Sequence, residues 1–542
     1  MEDCRNESAD TQLWYGVYPD GLVCWGVPTI LESDAVLEEE RLIPLASEPE
    51  LLMAPSGGQQ KQAGIVAQAV ALMVTSMSLA VILASPALIC VHFANTADLD
   101  IWWHLRVGEL IQQHHAVPHF DPFSGPNAGK PWEAYSWLYE LLIFKMFSRF
   151  GLSGIVGYSA AMVLAIAVAF WHLIKRLQPD FSMAALLMFV TFFSLQHLYT
   201  PRPWMFTILF FVLEIDILMV ARKTGRLREL ALLPLVFALW SNIHIQFIDG
   251  LLVLGLAAME AVLTSRGIGV RTRLRAPWIF AALGASIVAA MANPFGWHIY
   301  RVAYDLASQP GVLNKINELQ AIPFRDVTDF ATLFLALTAA AALAWQRRFL
   351  VFEVGLLAFA TVVSFRSKRD IWVMAAVAAA ILASSIRIKR AEAVRMPKAA
   401  SALAIAGAAL IVLTGFRLMH VDNAKLADQV ANVLPVAAAD DVQAKGYAGP
   451  LFNDFDWGGY LIWALRMPVS IDGRAAFYGD QAIDRSIATW SGTPDWNSDP
   501  QLKAAGLVIG PARTPLVQLL RLDPHFQLVY EDKLTAVFIA RR

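Results

Sequence analysis

Charge is what this chain has least of. Only 16% of its 542 residues are Asp, Glu, Lys or Arg and 57% are hydrophobic, where a soluble domain carries about a quarter charged residues. With a mean hydropathy of +0.50, such a surface suits hydrocarbon better than water. The formal net charge is −2, which leaves no concentrated basic surface and excludes nucleic acid as a partner. Cysteine is nearly absent, with Cys4, Cys24 and Cys90 alone. The C-terminal part therefore has no disulfide framework, and no CxxC pair is present to hold zinc or cycle electrons. A secretory signal is missing as well. Residues 1–64 hold twelve acidic side chains against three basic ones, with no basic start and no short apolar core. They read as a poorly ordered cytoplasmic extension.

Long apolar runs are what the chain does have. They fall at about 65–93, 152–173, 181–199, 203–221, 229–243, 246–264, 276–292, 328–346, 349–365, 370–386 and 399–417. At 1.5 Å per residue most can cross ~30 Å of hydrocarbon. The pattern predicts a mainly α, polytopic bundle of about eleven spans. The two runs flanking Ser241–Gln246 are short and need a neighbour to cover the break. Lys175/Arg176, Arg222–Arg228, Arg266–Arg275, Arg347/Arg348 and Arg387–Lys398 occupy every second loop, which orients those loops and the N-terminus to the cytoplasm. That alternation holds only if 135–149, carrying Glu140, Lys145 and Arg149, lies at the interface instead of spanning. The opposite, external face then receives loop 94–150, Arg202, the break at Asn242–His244, loop 294–327 and the turn Arg366–Asp370. After about residue 418 the sequence turns soluble. PVSID (468–472), GLVIG (506–510) and TAVFIA (535–540) read as short buried strands of a small external α/β domain. The expected division is 1–64, 65–417 and 418–542.

The densest polar segment is 97–124. Asp98 and Asp100 follow directly on a span, where two carboxylates can hold a divalent cation such as Mg or Mn, or supply a general base. Asp100 also stands where the N-cap of an amphipathic helix Ile101–His114 belongs. His104, His114, His115 and His119 crowd the same loop with Asp121, but their spacing matches no zinc pattern, and histidines facing water are the simpler reading. Trp102, Trp103, Trp132 and Trp137 fit an interfacial belt or a platform for a sugar. Arg366, Lys368 and Arg369 form an external cationic cluster that breaks the charge rule. It can grip a phosphate, contact lipid headgroups or pair with Asp370; Arg202, between Pro201 and Pro203, lies at the same depth. Asn242 and His244 either line a cavity or make a turn. In the C-terminal domain Asp456, Asp472, Arg474 and Tyr478 sit in Gly-rich loops that serve ligand sites and tight turns alike.

Taken together, DLDIWWHLRVGELI, VPHFDPFS, GKPWEAYSWLYELL, PRPW, SNIHIQF, ANPFGWHIY, FRSKRD, NDFDWGGYLI and IDGRAAFYGD resemble a group of bacterial multi-spanning proteins similar to the GT-C superfamily of membrane glycosyltransferases. The resemblance covers roughly 65–542. It implies an inner-membrane enzyme that moves a sugar from a polyprenyl-phosphate or -pyrophosphate donor to a glycan, lipid or protein acceptor at the external (periplasmic) face. By that resemblance Asp98 and Asp100 are the acidic motif, acting as base or holding a divalent ion. Arg366, Lys368, Arg369 and Arg202 bind the donor phosphate. His104, Arg106, Asp121, Trp132, Glu133, Asn242 and His244 line the acceptor pocket, and the C-terminal domain covers or recognises the acceptor. The rival readings are a transporter or flippase of lipid-linked glycans, which lacks visible internal repeats here, and a non-catalytic scaffold or receptor, for which eleven spans are more than an anchor needs.

Overall fold

The computed structural model describes residues 57–94, 98–309, 315–386 and 397–541; the acidic stretch 1–56 and most of the basic loop 387–396 lie outside the described residues. The chain divides after Ala63, and the unit from Gly64 to Arg542 holds everything considered below. Every apolar run is helical. Seven are long and apolar enough to cross a membrane: α1 (Gly57–His92), α4 (Leu152–Leu177), α5 (Phe181–Leu195, extended by a 3-10 turn to Leu198), α6 (Trp204–Thr224), α9 (Phe247–Ser265), α12 (Val327–Trp345) and α15 (Lys398–Leu418). The remaining runs are shorter: α7 (Leu227–Leu230) with α8 (Leu233–Trp240), α10 (Ala276–Ala290), α13 (Val351–Arg366) and α14 (Ile371–Ser385).

Side-chain size sets the layers. All residues of α14 from Ile371 to Ala383 are buried, and its run of alanines lets α4, α5, α12 and α13 close around it. The chain's outermost spans behave in the opposite way. Met73, Met77 and Val81 on α1 and Leu403, Leu410 and Leu413 on α15 stay exposed, which is the surface that lipid covers and water would not.

The segment read as the first external loop holds two 14-residue helices, α2 (Ile101–His114) and α3 (Trp137–Phe150). At about 21 Å each they are too short to span. They cross closely at Gly108, where a Cβ would collide with the Glu140 carbonyl oxygen and lie 2.6 Å from Phe144 Cβ. A further helix, α11 (His298–Ala307), lies in the second long external loop.

The far end of the bundle is tied by an ion network that the charge pattern did not show. Arg222, read from sequence as a cytoplasmic loop cation, is buried in the last turn of α6. Its Nε and Nη2 donate to Glu260 at 2.7 and 2.6 Å, and its Nη1 and Nη2 to Glu353 at 2.8 and 2.9 Å. The guanidinium also lies 4.5 Å from the Phe352 ring centroid. One side chain thus joins α6, α9 and α13.

The C-terminal part carries a four-stranded sheet of order β1-β2-β4-β3. β1 (Leu451–Asn453) runs parallel to β2 (Leu507–Pro511), which pairs antiparallel with β4 (Thr535–Ala540), and β3 (Phe526–Glu531) closes the edge. GLVIG and TAVFIA are strands as expected. PVSID is not: its backbone partner is the first external loop, with Gly125 N donating to Val469 O and Val469 N to Phe123 O, both at 2.9 Å. Those donors and acceptors are therefore spent outside the sheet, and β1 takes the place beside β2.

Removing Arg222 leaves two buried carboxylates without a counter-ion. Arg222→Ala is expected to destabilise the bundle by about 3–5 kcal/mol in thermal unfolding of the detergent-solubilised chain. Arg226→Ala, in the loop beyond, should change little.

Candidate functional site

Helix direction brings the polar residues to one place. α1 ends, and α6, α9 and α14 begin, at the same end of the bundle, so Asp98, Arg202, His244 and Arg369 meet although they are far apart in sequence. Arg202 is the hub. Its Nε donates to Asp98 Oδ2 at 2.8 Å and its Nη1 to Asp100 Oδ2. Its guanidinium carbon lies 5.3 Å from the Trp204 ring centroid, and that of Arg369 lies 5.8 Å from the same ring.

The two carboxylates differ in what remains to them. Asp98 Oδ1 accepts the backbone N–H groups of Asp100 and Ile101 at 3.0 and 3.2 Å, so Asp98, not Asp100, caps α2. The Asp98 side chain is 5% exposed and that of Asp100 18%. Asp100 Oδ1 lies where a Cβ on Gly473 would be. Burial, with Arg202 pulling the other way and Asp98 and Glu318 adding to it, pushes the Asp100 carboxyl up to about 6. Arg202 stays charged: burial works against the cation, but Asp100 and Asp98 outweigh it. A resident divalent ion does not fit here. Asp98 is saturated, Arg202 occupies the Asp100 oxygen that faces it, and among the described residues no group of three or more ligating side chains converges.

Arg369 is held far less tightly. Its nearest carboxylates are Asp370, 3.7 Å from Nε, and Glu318, 3.9 Å from Nη1. Its buried Nε has no hydrogen-bond partner among the described residues. Asp370 is itself engaged by Gln246 Nε2 at 2.8 Å. Of the other predicted phosphate ligands, Lys368 pairs with Asp326 at 3.1 Å and Arg366 is exposed in the last turn of α13.

The predicted acceptor-pocket residues mostly hold the framework. His104 does not face water: it is buried, with Nδ1 3.1 Å from Glu140 Oε1. Burial, helped by Arg202, lowers the ring, and burial, against the pull of Arg474, raises the carboxyl, which favours a neutral hydrogen bond over an ion pair. His244, pushed down to about 3 by burial and then Arg369, lies 2.8 Å from Thr207 Oγ1, which also accepts from Trp240 Nε1. Asn242 is satisfied by Trp137 Nε1 and the carbonyls of Ala238 and Ala292. Arg106 pairs with Glu109 at 2.6 Å, and Glu133 lies 3.8 Å from His298.

The C-terminal loop also departs from the ligand-loop reading, save that Asp456 is exposed. Arg474 Nε and Nη2 donate to Asp472 at 2.8 and 2.7 Å, Nη1 donates to Asp121 at 2.8 Å, and Tyr478 Oη donates to Asp472 at 2.6 Å. Trp132, Phe123 and Phe477 close around the guanidinium at 4.7, 5.1 and 5.1 Å. Burial would raise Asp472, but Arg474 and Tyr478 outweigh it and hold the carboxylate below its usual range. These groups bind one another instead of facing a cavity. A cavity of about 450 Å³ does lie between α2 and α3, lined by Ile111, His115, Trp137 and Lys145 among others, away from the acidic pair.

Three neighbours of the site escaped the sequence reading. Glu318 sits alone in a polar loop with no motif around it. Trp204 stood in the PRPW motif with no role given to it. Tyr135, pushed up to about 12 by burial, lies within the fields of Arg369 and Asp100.

Fold and site define an integral membrane protein of many spans, with its polar groups gathered at one end of the bundle beneath a small mixed-sheet domain. No protein-family model and no curated protein matches the chain. Two solved structures are similar over 88% of this chain and 98% of theirs: ArnT from Cupriavidus metallidurans bound to undecaprenyl phosphate (TM-score 0.39, 11% identity) and the same protein in the apo state (TM-score 0.37, 12% identity).

The buried position of Asp100 is directly measurable. Infrared difference spectra of wild type against Asp100→Asn should show a carboxyl that is neutral below, and ionised above, a midpoint near pH 6. A midpoint near the ordinary value of about 4 would mean that the group opens to water.

Proposed function

We propose that the chain is a membrane glycosyltransferase that moves a sugar from a polyprenyl-phosphate or -pyrophosphate donor to an acceptor hydroxyl at the external face of a bacterial inner membrane. The observation that carries this reading is that two guanidinium groups lie over one indole ring, Trp204: Arg202, which holds the Asp100 carboxylate, and Arg369, which is under-bonded among the described residues. Asp100 takes the proton of the acceptor hydroxyl as its oxygen bonds to the anomeric carbon. The bond from that carbon to the phosphate oxygen breaks, and the lipid phosphate leaves with its charge on Arg369. Arg202, itself braced by Asp98, aims Asp100 and favours its ionised form, so Arg202 orients the base and is not a phosphate ligand. Lys368 and Arg366 stand further out on the same turn, where an entering phosphate meets them first. Nothing in this scheme requires a resident metal ion.

Transport of a lipid-linked glycan is the second reading, favoured by one observation. Glu214, wholly buried in α6, has no partner for either carboxylate oxygen among the described residues. An intramembrane acid of that kind is common in transporters.

The two readings separate by substitution in a strain whose surface glycans are followed by mass spectrometry. Asp100→Asn should lower transfer by about 10²–10⁴-fold while polyprenyl phosphate still binds. Arg369→Ala should weaken polyprenyl phosphate binding by about tenfold or more, the worth of a charged hydrogen bond. Chelation by EDTA should leave transfer intact. Full transfer by both variants would end the transferase reading, and a glycan moved without change of structure would establish the transporter.

A further inference from the structure

We propose that the turn Ile471–Arg474 of the C-terminal domain is a wall of the reaction site that seats the Asp100 carboxylate, making Gly473 and Arg474 positioning residues for transfer. This rests on the transferase reading and adds a role for a domain that the sequence assigned only to covering the acceptor.

The contact is one of shape. A Cβ on Gly473 would run into Asp100 Oδ1, with Asp100 Cγ only 3.0 Å away. Gly473 is not among the glycines in the left-handed region, so its backbone would accept alanine. What excludes a side chain is the space that Asp100 fills. Asp100 is therefore held from two sides, Oδ2 by Arg202 from the start of α6 and Oδ1 by the Gly473 backbone.

Arg474 fixes the turn that makes this contact. Its guanidinium bonds Asp472 within the turn and Asp121 on the first external loop. Asp121 and Asp100 belong to the same loop, so turn and loop meet at two points, with the Phe123–Gly125 backbone pairing to Val469 as a third. On its other side the turn reaches the phosphate-binding half. Ile471 and Ala475 pack with Leu319, next to Glu318, which neighbours Arg369. A second tie is Lys315 Nζ to Asp484 at 2.5 Å. One turn thus touches both the base and the segment beside the phosphate ligand.

The test uses the full chain in lipid nanodiscs. Three readouts are taken: the Asp100 carboxyl infrared band, located by difference against Asp100→Asn; the affinity for polyprenyl phosphate as probe; and transferred sugar in cells. Gly473→Ala should move the band and cut transfer by about tenfold or more while probe affinity stays within about threefold, a loss in turnover and not in binding. Gly125→Ala is the control in the same interface, because its Cβ would meet nothing closer than 3.9 Å; it should match wild type in all three. If Gly473→Ala does not accumulate in the membrane, Arg474→Lys replaces it, keeping the charge but unable to bond Asp472 and Asp121 together. An unmoved band, or wild-type transfer in a protein whose Asp100→Asn form is inactive, overturns the proposal. Full transfer by Asp100→Asn itself sinks the transferase reading instead, and a band moved by Gly473→Ala then leaves the seating of Asp100 standing.

Discussion

The sharing of one guanidinium, Arg202, between Asp98 and Asp100 is the interaction on which the site depends. Two carboxylates this close in a buried setting cannot both stay ionised without a cation between them. Arg202 supplies it from the other end of a long stretch of sequence, fixed by Pro201 and Pro203 at the mouth of α6. The pair is costly to desolvate, and removing one partner would strand buried charge. The two carboxylates are engaged differently. Asp98, bonded on both oxygens, is a brace. Asp100 is bonded on one oxygen by Arg202 and has Gly473 packed against the other.

The same motif recurs twice. Arg222 is shared by Glu260 and Glu353, and Arg474 by Asp121 and Asp472. Each is a buried arginine shared by two carboxylates, and each joins segments distant in sequence. A planar, always-charged donor fork suits this use, which a lysine could not match. Against these three, Arg369 is the exception: its carboxylates stand at 3.7 and 3.9 Å, and its Nε has no hydrogen bond among the described residues. A guanidinium built into a brace would be saturated. One left short of acceptors has hydrogen-bonding capacity that an anionic ligand could complete.

Much of this was legible from the residues. Apolar runs gave the helices, and the alternation of Lys and Arg put Asp98, Asp100, Arg202 and Arg369 at one end of the bundle. Pattern reading failed where a residue's partner lay far away in sequence. Arg222 reads as a loop cation because Glu260 and Glu353 sit at the ends of other helices. PVSID reads as a strand because its extended backbone is real, but its partner is a loop some 340 residues earlier. Asp472, Arg474 and Tyr478 read as a ligand loop because the composition of an ion brace and of a binding turn is the same. Gly473 was invisible for a plainer reason: a glycine chosen for close approach looks like a glycine chosen for a turn.

The braces also bear on the choice between transfer and transport. Alternating access requires one part of the bundle to rock against another around a fixed site. Here Arg202 holds the start of α6 to the first external loop, while Arg222 holds its last turn to α9 and α13. The two arginines sit at opposite ends of a helix that is 21 residues long, about 30 Å at 1.5 Å per residue. Arg474 then clasps the external loop to the soluble domain. To rock, the bundle would have to break or carry along buried ion networks at each end, each worth about 3–5 kcal/mol when a partner is lost. A bundle clamped at both ends, with the under-bonded Arg369 at the end that Arg202 braces, suits a reaction that holds its substrate still. That requirement belongs to group transfer, where the reacting atoms must stay aligned while one bond replaces another.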